Sequence, residues 1–112
     1  MDNDKQVQVV EDRLDALEGM QVSDDQSARE ALTHVMVTVT RINQLSAQGR
    51  AQAMMGSGAP FDDILEQLRK WLDRLVRVLT RIVDKLDGAT SFSISAGAAV
   101  SVTVNFGPQA RS

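Results

Sequence analysis

The sequence predicts an α+β fold that is predominantly helical: a helical hairpin or bundle around one long amphipathic heptad helix, followed by a C-terminal β-hairpin. Three observations carry this. Apolar residues recur at steps of three and four through most of the chain. Leu65, Leu68, Leu72, Leu75, Leu79, Ile82 and Leu86 form an unbroken heptad seam. From Gly88 to Ala110 there is no charged residue, and within that tract apolar and hydroxyl residues alternate.

The first element is a short helix over 5–18. Val7, Val10, Leu14 and Leu17 keep a helical period, and Gly19 offers a stop. It is highly charged, so it needs packing to persist. The connector that follows ends in Ser23, Asp24 and Asp25, which suit a helix start. The second helix covers 27–49 and reaches 55 if it does not fray. Ala28, Ala31, Leu32, Val35, Met36, Val39, Ile42 and Leu45 share one side, with Val37 opposite. His34 to Thr40 also alternates as a strand would. The flanks decide for helix, because a strand would waste Ile42 and Leu45. Gly56, Gly58 and Pro60 mark 50–60 as a connector.

The long helix covers 61–87. Pro60 suits a first helical position, and Asp62, Asp63 and Glu66 suit the first turn. Ile64, Trp71 and Val78 flank one side of the seam, and Val76 and Val83 the other, so half the circumference is apolar. At about 1.5 Å per residue this helix is about 40 Å long and can pair with the second as an antiparallel hairpin. One partner helix is too little to cover such a face. That points to a homo-oligomer.

Residues 90–106 read as a β-hairpin or one long strand, and 107–112 as a tail. Phe92, Ile94, Val100, Val102, Val104 and Phe106 point one way; Ser91, Ser93, Ser95, Ser101, Thr103 and Asn105 point the other. Like faces must meet, so a hairpin loop has an odd number of residues. A loop of Ser95, Ala96 and Gly97 would place Phe92 opposite Val100 and Ile94 opposite Ala98. An uncharged tract of this kind must pack on helices, pair between subunits or enter lipid. Pairing between subunits is the preferred expectation.

Composition narrows the function. The chain has 112 residues, one domain's worth, with net charge −3. It has no cysteine and one histidine, His34. Thiolate chemistry, disulfides and multi-histidine metal sites are excluded. No transmembrane stretch or secretory leader is visible, which makes a cytoplasmic protein the expectation. Charge is uneven: residues 1–60 carry 5 basic and 9 acidic residues, and 61–112 carry 7 and 6.

Each candidate site has a plainer reading. His34 has no visible partner or nucleophile and reads as a surface residue. Asp24-Asp25 and Asp62-Asp63 read as helix starts, because no calcium-loop spacing surrounds them. Gly56-Ser57-Gly58 lacks the lysine of a phosphate loop. Met54 and Met55 read as gap-fillers. No catalytic, cofactor or metal site results, and an enzyme is not expected.

Two features remain. Arg69, Lys70, Arg74, Arg77, Arg81 and Lys85 share a polar arc that could meet an anionic surface. The arc also carries carboxylates and has no interleaved aromatic residue, so nucleic acid is not an expected partner. The function expected is a non-enzymatic self-assembly or adaptor module. Its interface would be Leu65, Leu68, Leu72, Leu75, Leu79, Ile82 and Leu86, together with Phe92, Ile94, Val100, Val102, Val104 and Phe106. The partners would be a second copy of the chain, or another protein by β-strand addition. The alternative is a membrane-active protein with a basic helix on lipid and a pore- or barrel-forming hairpin. On the assembly reading, Leu72→Asp or Leu75→Asp breaks the oligomer.

Overall fold

A computed structural model describes residues 2–54, 58–96 and 99–107. Three helices, α1 (Asp2–Gly19), α2 (Asp25–Met54) and α3 (Gly58–Lys85), precede two strands, β1 (Ala89–Ala96) and β2 (Val100–Phe106). The strands form one antiparallel hairpin. The molecule measures 56 × 26 × 17 Å, elongated along its helices.

The start of α2 follows from local chemistry. Asp24 Oδ1 accepts from the Ser27 N–H at 2.9 Å, and Ser27 Oγ accepts from the Asp24 N–H at 3.1 Å. This reciprocal cap satisfies donors that the first turn leaves open. Asp25 Oδ1 then accepts from the Asp87 N–H at 2.8 Å, tying the start of α2 to the end of α3. The two long helices therefore run antiparallel. Gly88 has φ of 80°, a left-handed conformation that suits glycine, and turns the chain from α3 into β1.

The expected connector over 50–60 is mostly helix. Residues 50–54 continue α2, and 58–60 open α3. Alanine, glutamine, arginine and methionine are strong helix formers, and Gly49 alone costs only about 1 kcal/mol. Pro60 is tolerated because first-turn N–H groups have no intrahelical partner. Residues 55–57 and the side chains of 49–65 lie outside the described part. They include Met54, Met55, Ser57, Asp62, Asp63, Ile64 and Leu65. So does the tail from Pro108.

One core joins all the elements. It takes Val10, Leu14 and Leu17 from α1, and Ala28, Ala31, Val35, Val39, Ile42 and Leu45 from α2. Trp71, Leu75, Val78, Leu79, Ile82 and Leu86 come from α3, and Val100 from β2. The seam of α3 thus lies inside a single chain. Leu75, Leu79 and Ile82 are fully buried, and Leu68 and Leu72 half-buried. α1, α2 and the hairpin together cover most of the described part of this face, and Val76 at its edge stays exposed. Met36, expected on the apolar side of α2, is exposed beside Val37.

The hairpin register differs from the expected one. Phe92 faces Val104, Ile94 faces Val102 and Ala96 faces Val100. The loop is three residues, 97–99, so parity holds, but it sits two residues later than expected. Gly97 and Ala98 lie outside the described residues. The expected register would have set Val104 opposite Gly88 and Phe106 opposite Leu86. The observed one centres the alternating tract on Ala98 and gives each of Val100, Val102 and Val104 an apolar cross-strand neighbour. A bulge at Thr90 separates the Ala89–Phe106 pair from the rest. The strands therefore pair with each other within the chain as the expected β-hairpin, not as one long strand.

Candidate functional site

The hairpin docks by one face. Val100 is buried, and Phe92, Ile94, Val102 and Val104 are half-buried against the helical core. Phe106, expected on that face, is instead 57% exposed at the end of β2 beside the bulge. The opposite face carries Ser91, Ser93, Ser95, Ser101, Thr103 and Asn105, all exposed. Cross-strand contacts zip it. The Ser95 and Ser101 hydroxyls lie 2.7 Å apart, and Asn105 Nδ2 donates to Ser91 Oγ at 3.0 Å.

Asn43 of α2 fixes the hairpin to the bundle. Its Nδ2 donates to the Val100 carbonyl at 2.9 Å, and its Oδ1 accepts from the Val100 N–H at 2.7 Å. Sequence reasoning missed this residue. It is the single asparagine among several amide residues of α2, with nothing to show that it meets a strand 57 residues away.

That clamp decides which way the strand edges face. Val100 gives both backbone groups to Asn43, so it shares no ladder bond with Ala96. Antiparallel pairs alternate between bonded and non-bonded. Ile94–Val102 and Phe92–Val104 are then also non-bonded pairs, and their N–H and C=O groups point outward. On β2 the outer edge is held at Val100 by α2. On β1 the backbone groups of Phe92 and Ile94 make no hydrogen bond beyond the hairpin among the described residues.

The basic arc of α3 is partly engaged within the chain. Arg74, 20% exposed at its side chain, binds Asp15 and both carboxylate oxygens of Glu18. Arg81 donates to the carbonyls of Glu18 and Met20. These contacts hold the C-terminal end of α1, a cation placement that the helix dipole favours. The Arg74 hydrogen bond holds the Glu18 carboxyl below its ordinary range, and the Arg74 guanidinium is correspondingly harder to deprotonate. Lys85 lies 3.8 Å from Asp84, an ion pair at the surface. Arg69, Lys70 and Arg77 are exposed.

The other candidates separate. His34 is exposed on α2. Asp24 and Asp25 serve the start of α2, and the Ser27 N–H lowers the Asp24 pKa. Among the described residues no three His, Asp or Glu side chains converge as a metal site would require. No helix among them is long and apolar enough to cross a membrane. Trp71, which could have suggested an interfacial anchor, is 1% exposed, and its indole N–H has no partner.

The architecture is thus a three-helix bundle carrying a docked β-hairpin. Compared with known protein families, curated proteins and solved structures, the chain matches none of them.

Proposed function

We infer that this chain is a non-enzymatic self-assembly module whose copies join through the outer edge of β1. The observation that carries this reading is that no third strand pairs with β1 among the described residues, while the Asn43 contact sets the ladder phase that turns Phe92 and Ile94 outward. A bare edge is a template for another strand, and charged residues or proline normally guard it. Here no charge occurs from Gly88 to Ala110, so two copies meet there without repulsion. Two β1 strands brought together antiparallel about a two-fold at Ser93 would pair Phe92 of each with Ile94 of the other. Both are outward-bonding positions, and the apolar faces stay on the same side. The result is a four-stranded sheet with a continuous hydroxyl face.

The Leu seam is less favoured as the interface, because Leu75, Leu79 and Ile82 are buried in the chain's own core. The membrane reading is also weaker. Arg74 and Arg81 hold α1, and Trp71 is internal.

The test is solution mass by light scattering after size exclusion, over a dilution series, for the wild type and Ser93→Lys. Ser93 is exposed, so the variant should keep its fold and its circular dichroism. The reading expects a discrete multimer for the wild type and a monomer for the variant, whose lysines would face each other. A wild-type monomer at every concentration, or a variant with the wild-type mass, overturns it.

A further inference from the structure

A second surface, away from the hairpin, has the character of a binding groove. It runs along the outside of the α1–α2 pair. One hollow of about 310 Å³ is lined by Arg13, Ala16 and Leu17 of α1, by Met20 just after it, and by His34 and Thr38 of α2. Another of about 450 Å³ is lined by Gln6, Val9 and Val10 of α1 and by Arg41, Gln44 and Ala47 of α2, among others. Val10 and Arg13 are one helical turn apart, and so are Thr38 and Arg41. The hollows therefore lie in tandem in one groove. From Gln6 to Met20 the groove spans about 21 Å, four helical turns.

Its charge is the opposite of the protein's. The chain carries −3 overall, yet Arg13, Arg41 and His34 line the two hollows and no carboxylate does. Neither Arg13 nor Arg41 forms an ion pair among the described residues. Arg13 Nε is buried and has no hydrogen-bond partner. A guanidinium side-on edge is a two-pronged donor that fits a carboxylate, and a buried unpaired prong is costly. Apolar surface lies beside these cations: Val9 is 40% exposed and Val37 38%. Val37 lies on the same stripe of α2 as His34 and Arg41.

We propose that this groove docks an acidic amphipathic helix of a partner protein, with carboxylates of that helix meeting Arg13 and Arg41. The tandem hollows lie about eight residues apart along α1, about 12 Å. That matches apolar anchors at i and i+7 or i+8 on a helix, the spacing used in helix-in-groove recognition. A single lipid chain would suit the apolar hollow at Leu17 and Met20. It would not suit the glutamine-lined one.

The experiment is an NMR titration of the full, isotope-labelled chain with three probes. One is an 18-residue helical peptide with Leu at i, i+4, i+7 and i+11 and Glu at the flanking positions. The second is the same peptide with Lys for Glu, and the third is dodecanoate. The acidic peptide should shift amides along 6–20 and 34–48, and added salt should weaken it. Arg13→Gln and Arg41→Gln should each lower its affinity about thirtyfold, the lower end of the scale for truncating one partner of a desolvated charge pair. Equal binding of both peptides, saturation of the groove by dodecanoate in preference to the acidic peptide, or no shift along these residues overturns the proposal.

Discussion

Replacing Asn43 by alanine should loosen the hairpin from the bundle before it unfolds the helices. The Asn43 amide does for Val100 what a neighbouring strand would do, with bonds of 2.7 and 2.9 Å to the N–H and C=O of a residue only 4% exposed. A net intramolecular hydrogen bond contributes about 1 kcal/mol, and a buried group left without a partner costs about 1–3 kcal/mol. Alanine removes both bonds, and water regains access to part of the exposed strand edge. The expected loss is therefore about 2–3 kcal/mol. With a urea slope of about 1–2 kcal/mol/M for a small domain, the unfolding midpoint should fall by about 1–3 M. Amide exchange should accelerate first at Val100 and along the hairpin, with the middle of α2 affected least. Asn43→Asp sharpens the test. It keeps the acceptor for the Val100 N–H but sets a carboxylate oxygen against the Val100 carbonyl. That variant should be weak at neutral pH and partly recover in acid, where a protonated carboxyl can donate. A loss below about 0.5 kcal/mol for Asn43→Ala, or exchange that rises uniformly over the helices, would refute the clamp.

Three further outcomes follow from the packing and the electrostatics. Leu75→Ala should cost about 3 kcal/mol in a urea melt, as for a fully buried leucine, and Leu75→Asp should abolish the fold rather than merely dissociate copies. Arg74→Met should release the end of α1, seen as faster amide exchange over 14–19; its cost is about 1 kcal/mol, discounted because Glu18 is more than a third exposed at its side chain. The Glu18 carboxyl is held low in the fold, so its contribution is present above the unfolded-state value and is lost as pH falls through the folded one. The acid limb of wild-type stability should therefore be steeper than that of Arg74→Met, and matching limbs would contradict this account.

The helices were legible because periodicity is a local property. The buried positions of α2, from Ala28 through Val35 and Ile42 to Leu45, follow from a period that needs no knowledge of the partner. The strand alternation was equally legible, and Gly88 ended α3 as a left-handed glycine should. Local signals left the end of α2 open between Gly49 and Met55, and it runs to Met54 because a single Gly49 lacks the energy to stop a helix of favourable residues.

What the sequence by itself determined was element type and the identity of the apolar faces, since both depend on neighbours within a few residues. What covers each face was decided only by the tertiary structure. The seam of Leu75, Leu79 and Ile82 reads the same whether it meets a second copy or the chain's own α1, α2 and hairpin. The choice depends on how three elements fit one surface. The assignment of Arg74 to Asp15 and Glu18, and of Asn43 to Val100, likewise rests on contacts more than fifty residues apart in sequence. The directions of the β1 and β2 edges follow from that last contact, because a side chain bonded to both groups of one strand residue sets the phase of the whole ladder.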